Sequence, residues 1–198
     1  MTEKSNADKL RDEVQAKIQK LVQEFAGGKI SNEQFNIIYA RYNNQLQFAD
    51  QAERGEDAIK PGEGVSTIAI REATTGKAIG ISIYHHTSST TIETLGNFDV
   101  SPSIISPVLN DITLKRDKGE FMPPYTRNLD KNIWIIFTSR LFCTMITLFQ
   151  NEPSRVQVRH LERLHHDFEV ANERFLKKNN VDASKLARPF LSLVRGNI

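Results

Sequence analysis

The run from Ile133 to Phe149 constrains this chain more than any other stretch. It holds two apolar segments, Ile133-Trp134-Ile135-Ile136-Phe137 and Leu141 to Phe149, parted only by Thr138-Ser139-Arg140. Neither alternates apolar with polar residues, and strands that are apolar on both faces are buried above and below. With Ser139-Arg140 at its centre the run is too short and too broken to cross a membrane, which takes ~20 consecutive apolar residues. Both faces of a sheet must therefore be covered from elsewhere in the chain or by another molecule.

One cover follows directly. From about Pro153 to Lys178 the apolar residues Leu161, Leu164, Phe168, Ala171 and Phe175 step 3, 4, 3, 4, a single stripe along a helix of roughly seven turns. Lys177-Lys178 places cations at its negative end, and Asn179-Asn180 leaves the helical conformation readily. A helix covers one face only. For the other face the sequence leaves three candidates: a short helix, an N-terminal helical hairpin, or a second copy of the chain.

The hairpin is legible near the start. Leu10, Val14, Ile18, Leu21, Val22 and Phe25 form one apolar stripe that ends at Gly27-Gly28, and Ser31-Asn32-Glu33-Gln34 reads as a capping box opening a second helix. Phe35, Ile38, Tyr39, Tyr42, Leu46 and Ala49 continue that helix to about Glu53. Downstream the period changes. Val65 to Ala73 and Ala78 to His86, separated by Thr74-Thr75-Gly76-Lys77, predict a β-hairpin with Ile79, Ile81 and Ile83 on one face. Thr91 to Phe98 is a candidate third strand. Val108, Leu109, Ile112 and Leu114 predict a short helix after Ser106-Pro107, the second of two Ser-Pro pairs, and Lys115 to Asn128, with Pro123-Pro124, reads as a loop. Asp182 or Ser184 caps a last segment to Val194, bent near Pro189.

The expected fold is α+β: an N-terminal αα-hairpin (1–54), a linker (55–64), an antiparallel sheet of four to five strands with a short helix and one long helix packed on it (65–180), and a short helical tail (181–198). The turn Gly28-Lys29-Ile30-Ser31-Asn32-Glu33-Gln34-Phe35 resembles that of SHOCT-type helical hairpins, which read Gly-x-Ile-Ser/Thr-x-Glu-Glu-Phe, with Gln34 departing from the pattern. That resemblance implies an oligomerising or docking hairpin over residues 10–50. By element order, residues 65–180 are similar to roadblock and longin regulatory domains, and more loosely to PAS and GAF sensors. The first similarity implies a dimeric platform for a protein partner such as a small GTPase or signalling component; the second implies a small-ligand pocket, here near Tyr84, Trp134 and Phe137.

Residues able to do chemistry are few. His160 and His165 lie about 140° apart around a helix and do not converge on a metal, although His165 with Glu169, and Glu162 with His166, are spaced for single pairs. His85 and His86 point to opposite faces of a strand. The five histidines are expected at solvent edges or helix flanks. Cys143, the one cysteine, sits in an apolar strand as a core residue, excludes an intramolecular disulfide and fits a reducing compartment. Gly76-Lys77 lacks the rest of a phosphate loop, and Gly62-Glu63-Gly64 lacks the dinucleotide pattern, so neither a cofactor nor a metal is expected. Met1 to Ser5 shows no signal core, which predicts a cytoplasmic protein.

Charge is uneven. The formal net charge is +2, but from residue 131 onward there are 11 Lys and Arg against 6 Asp and Glu. Arg155, Arg159 and Arg163 repeat every four residues on the long helix, a candidate docking patch for an acidic protein, with Asp167 and Glu152 placed to pair with it. No aromatic platform interleaves with the basic residues, so nucleic acid is not expected. The function expected is a non-enzymatic, dimeric interaction module, ahead of a small-ligand sensor and, third, an enzyme of unidentified type.

Overall fold

The computed structural model describes residues 6–30, 32–53, 76–120, 122–130 and 132–195. Their order is α1 (Asn6–Ala26), α2 (Asn32–Glu53), β1 (Lys77–His85), β2 (Thr90–Gly96), α3 (Pro102–Asp117), β3 (Tyr125–Asp130), β4 (Ile133–Ser139), β5 (Cys143–Gln150), α4 (Arg155–Leu176), a 3-10 turn (Ala183–Lys185) and α5 (Leu191–Arg195). The strands form one antiparallel sheet in the order β2-β1-β5-β4-β3. The expected α+β architecture is what the chain adopts.

Local chemistry sets the boundaries. At the end of α1, Gly28 takes φ +73°, Lys29 N–H bonds Glu24 C=O and Gly28 N–H bonds Phe25 C=O, both at 2.9 Å. That paired 6→1 and 5→2 arrangement is a Schellman stop, which needs a left-handed residue at the position Gly28 occupies. The long helix α4 starts on a capping box: Ser154 Oγ accepts from Gln157 N–H at 3.3 Å, and Gln157 Oε1 accepts from Ser154 N–H at 2.8 Å. Gln157 Nε2 also donates to Gly76 C=O at 2.6 Å, tying the start of α4 to the start of β1.

Both faces of the central strands are covered by this chain alone. On one face Ala78, Ile81, Ile83, Ile136, Cys143, Met145 and Phe149 pack with Leu161, Leu164, Phe168 and Ala171 of α4. On the other, Ile135, Phe137, Ile146 and Leu148 meet Ile112 of α3, flanked by the partly buried Phe98, Val100, Met122 and Leu129. Of the three candidates for the second cover, the short helix is the one seated there. The helical hairpin lies on α4 instead: Val14, Ile18, Leu21, Val22, Phe25, Phe35, Tyr39 and Leu46 are all buried in the same core as α4.

Several expectations change. α3 begins at the first Ser-Pro pair, with Ser101 as N-cap and Pro102 in its first turn, and runs through Pro107. Proline there removes one bond to the Ser103 carbonyl, and Ser103 lies on the exposed side of the helix. β3 lies inside the stretch read as a loop. It is a short edge strand of polar, largely exposed residues with one strand partner among the described residues, β4, so neither apolar alternation nor length marks it. β1 has β2 on one side and β5 on the other, so its hairpin partner is Thr90–Gly96. The segment 65–73 expected beside it, the 55–64 linker and the Ser31 cap lie outside the described residues. The tail is as capped as expected, with Asp182 Oδ1 accepting from Ser184 N–H at 3.1 Å.

Candidate functional site

The long helix is enclosed on two sides, by the sheet and by the hairpin, and this explains why its polar residues are buried. His165, Asp167, Glu169 and Asn172 are all buried alongside the apolar stripe. A buried polar group is costly unless bonded, so each has a partner worth tracing.

Glu169 faces the β4–β5 turn. Its Oε1 accepts from the N–H groups of Phe142 and Cys143, both at 2.9 Å, and its Oε2 from Leu141 N–H at 3.2 Å, with Arg140 Nε 3.9 Å away. Burial raises its carboxyl above the ordinary value, and the turn N–H groups and Arg140 pull it back toward the charged form. One helix turn earlier, His165 is fully buried with Nδ1 3.1 Å from Thr138 Oγ1 and Nε2 3.6 Å from Glu169 Oε1. Burial, then the Arg140 charge, lowers its pKa to about 3, so it is neutral. Asn172 clasps the backbone of Ala187: Nδ2 donates to its C=O at 2.9 Å and Oδ1 accepts from its N–H at 2.8 Å.

Three of the five histidines are therefore not at solvent edges: His85, His86 and His165 are buried. His85 and His86 do bond in opposite directions. His85 Nε2 donates to Leu176 C=O at 2.8 Å, at the end of α4, while Nδ1 accepts from Ser88. His86 Nε2 lies 2.9 Å from Thr144 Oγ1 in β5, and burial, then the charge of Arg116, lowers its pKa to about 4. His165 sits within 4 Å of Glu169, the pair its spacing allows, and His166 takes a hydrogen bond from Arg140 Nη2 at 3.0 Å. Cys143 is buried, and burial followed by the Glu169 charge pushes its thiol up, which keeps it protonated and unreactive. Among the described residues no three His, Cys, Asp or Glu side chains are grouped to hold a metal ion. No helix among them is long and apolar enough to cross a membrane.

The arginine row divides. Arg155 and Arg159 are exposed, but Arg163 is half-buried, with Nη2 donating to Asn43 Oδ1 of α2 at 2.9 Å and to His160 Nδ1 at 2.8 Å. The cause is helical geometry: a four-residue step advances 400°, so each successive residue drifts about 40° around the axis, and by Arg163 the row has passed under the hairpin. Asp167, the next residue on the row, is buried and accepts from the Tyr39 hydroxyl instead of pairing with Arg163. Burial raises the Asp167 carboxyl, against the pull of that hydroxyl and of Arg163, and burial with the Asp167 charge raises Tyr39.

The trio Tyr84, Trp134 and Phe137 does not share a face. Trp134 packs into the cluster under α4 and Phe137 into the cluster under α3, because neighbouring positions of opposite parity on β4 point to opposite sides. Tyr84, half-buried, pairs with Thr144, and its ring meets His86 with centroids 6.3 Å apart.

Sequence reasoning missed the hairpin–helix polar contacts, Tyr39 with Asp167 and Asn43 with Arg163. The available signal was that Asn43 lies four residues after Tyr39 on the face that carries the α2 stripe. Comparison with protein-family models, curated proteins and solved structures finds no match to this chain.

Proposed function

We propose that this chain is a non-enzymatic interaction module that works as a homodimer and presents a surface to a protein partner, in the manner its roadblock- and longin-like element order implies. The observation that carries the reading is the edge strand β3. Its outer side has no strand partner among the described residues, and its residues Tyr125 to Asn128 are exposed. Charged residues on an edge ordinarily block pairing with other strands. Here Arg127 and Asp130 are self-complementary: antiparallel pairing that sets Asn128 against Leu129 of a second copy places each Arg127 opposite an Asp130. Charge then admits one partner and rejects others.

Two further features support a binding role. The buried ionisable groups tie elements together internally, while Ile37, Leu114, Leu141 and Val156 stand exposed, Leu141 at 71%. Val156 lies between the exposed Arg155 and Arg159, a small apolar and basic patch suited to an acidic partner.

Sedimentation at micromolar concentration tests the dimer. A dimer is expected, with Arg127→Glu converting it to a monomer and the double exchange Arg127→Asp with Asp130→Arg restoring it. A monomeric wild type, or a charge exchange without effect, overturns the proposal.

A further inference from the structure

Among the described residues, Arg163 enters the interface between α2 and α4 with no carboxylate in ion-pair contact. Both acceptors on its Nη2, Asn43 Oδ1 at 2.9 Å and His160 Nδ1 at 2.8 Å, are neutral groups. Asp167, one turn further on, feels the guanidinium's charge but is bonded to Tyr39. Arg163 Nε is buried and has no acceptor. The Asn43 side chain is 0% exposed, and its amide orientation is fixed because Oδ1 must face Arg163, which leaves Nδ2 buried without an acceptor as well. Two buried donors, Arg163 Nε and Asn43 Nδ2, thus stand without acceptors beside one positive charge, and buried charges in proteins are ordinarily paired.

We propose that the α2–α4 junction is a binding site for a single oxyanion, a carboxylate or phosphate group. Its oxygens accept from Arg163 Nε and Asn43 Nδ2, and the exposed Arg159 and Arg155 on the same row guide it inward. Planar, delocalised guanidinium with a neighbouring amide suits a compact oxyanion better than a halide, because two separated oxygens can take the two donors. The Asp167 carboxylate and the neutral His160 complete the surroundings, and Asp167 limits the site to one anionic group. The site stands whether or not the chain dimerises.

The test is a titration of the whole chain with sodium phosphate and, separately, sodium acetate, at ionic strength held constant with chloride. Arg163 Nε–H and the Asn43 amide protons are followed by nuclear magnetic resonance. Saturable shifts at both groups below about 10 mM anion are expected. Response to phosphate alone assigns the phosphate source, and response to acetate alone assigns a carboxylate side chain. Asn43→Asp, which supplies the missing carboxylate from within, is expected to raise the thermal midpoint without added anion and to abolish the response. Arg159→Gln, at an exposed position, is expected to weaken binding about threefold. No saturable shift with either anion, or an Asn43→Asp protein that responds like the wild type, overturns the proposal.

Discussion

Glu169 holds three backbone N–H groups of a tight turn with one side chain, so its loss leaves three donors unpaired at once, that of the buried Cys143 among them. Glu169→Ala is expected to lower stability by about 3 kcal/mol in urea denaturation, and Glu169→Gln by less, because an amide oxygen still accepts. Two neighbouring histidines set a pH dependence. His165 and His86 have folded pKa values of about 3 and about 4, below the ordinary 6.5, so the unfolded chain binds their protons first on acidification. Stability they contribute is fully present above pH 6.5 and is lost as pH falls toward 4, by at most about 1.4 kcal/mol per pH unit for each group. Asp167 and Glu169 have raised values and act oppositely at the acid end, where the folded state holds protons more tightly than the unfolded. The urea midpoint is therefore expected to fall between pH 6.5 and 5, and His165→Gln to flatten that fall by roughly half.

At the scale of elements, what could be read in advance depended on whether one residue pattern or two surfaces decided the outcome. Leu161, Leu164, Phe168 and Ala171 announce α4 because a single stripe meets a single sheet face, and Ile133 to Phe149 announces two buried strands for the same reason. β3 was hidden because an edge strand with solvent on its sides needs no apolar pattern. The polar residues of α4 were hidden because their partners lie on other elements: Asp167 and Asn172 look like solvent-facing residues until the hairpin and the tail close over them, and His165 until Thr138 of β4 meets it. Ser154 and Gln157, by contrast, carry a capping signal fully visible in the chain. Ser154→Ala is expected to cost about 1 kcal/mol, read from the urea midpoint, since it frees the Gln157 N–H and loosens the tie between Gln157 and Gly76.

For the molecule as a whole, the hairpin, the long helix and the tail share one core. Phe190 of the tail is fully buried with its ring 5.2 Å from that of Phe168, and Arg188 reaches Glu93 of β2 at 2.7 Å and, through its N–H, Asn36 of α2 at 2.9 Å. Phe190→Ala is expected to cost about 3–5 kcal/mol, read from the denaturant midpoint. Removing residues 1–53 strips cover from Asp167, Arg163 and the outer side of α4, and circular dichroism on the truncated chain is expected to show a broadened, less cooperative melt. The layered order also fixes a sequence of events in time. α1 and α2 close on each other across a few residues of turn, yet β1 finds its central neighbour only when Lys77 meets Gln150, and α4 lies beyond that meeting point. The hairpin can assemble early from local contacts, but the surface it rests on exists only after the distant strands have joined, so strand closure sets the pace of refolding.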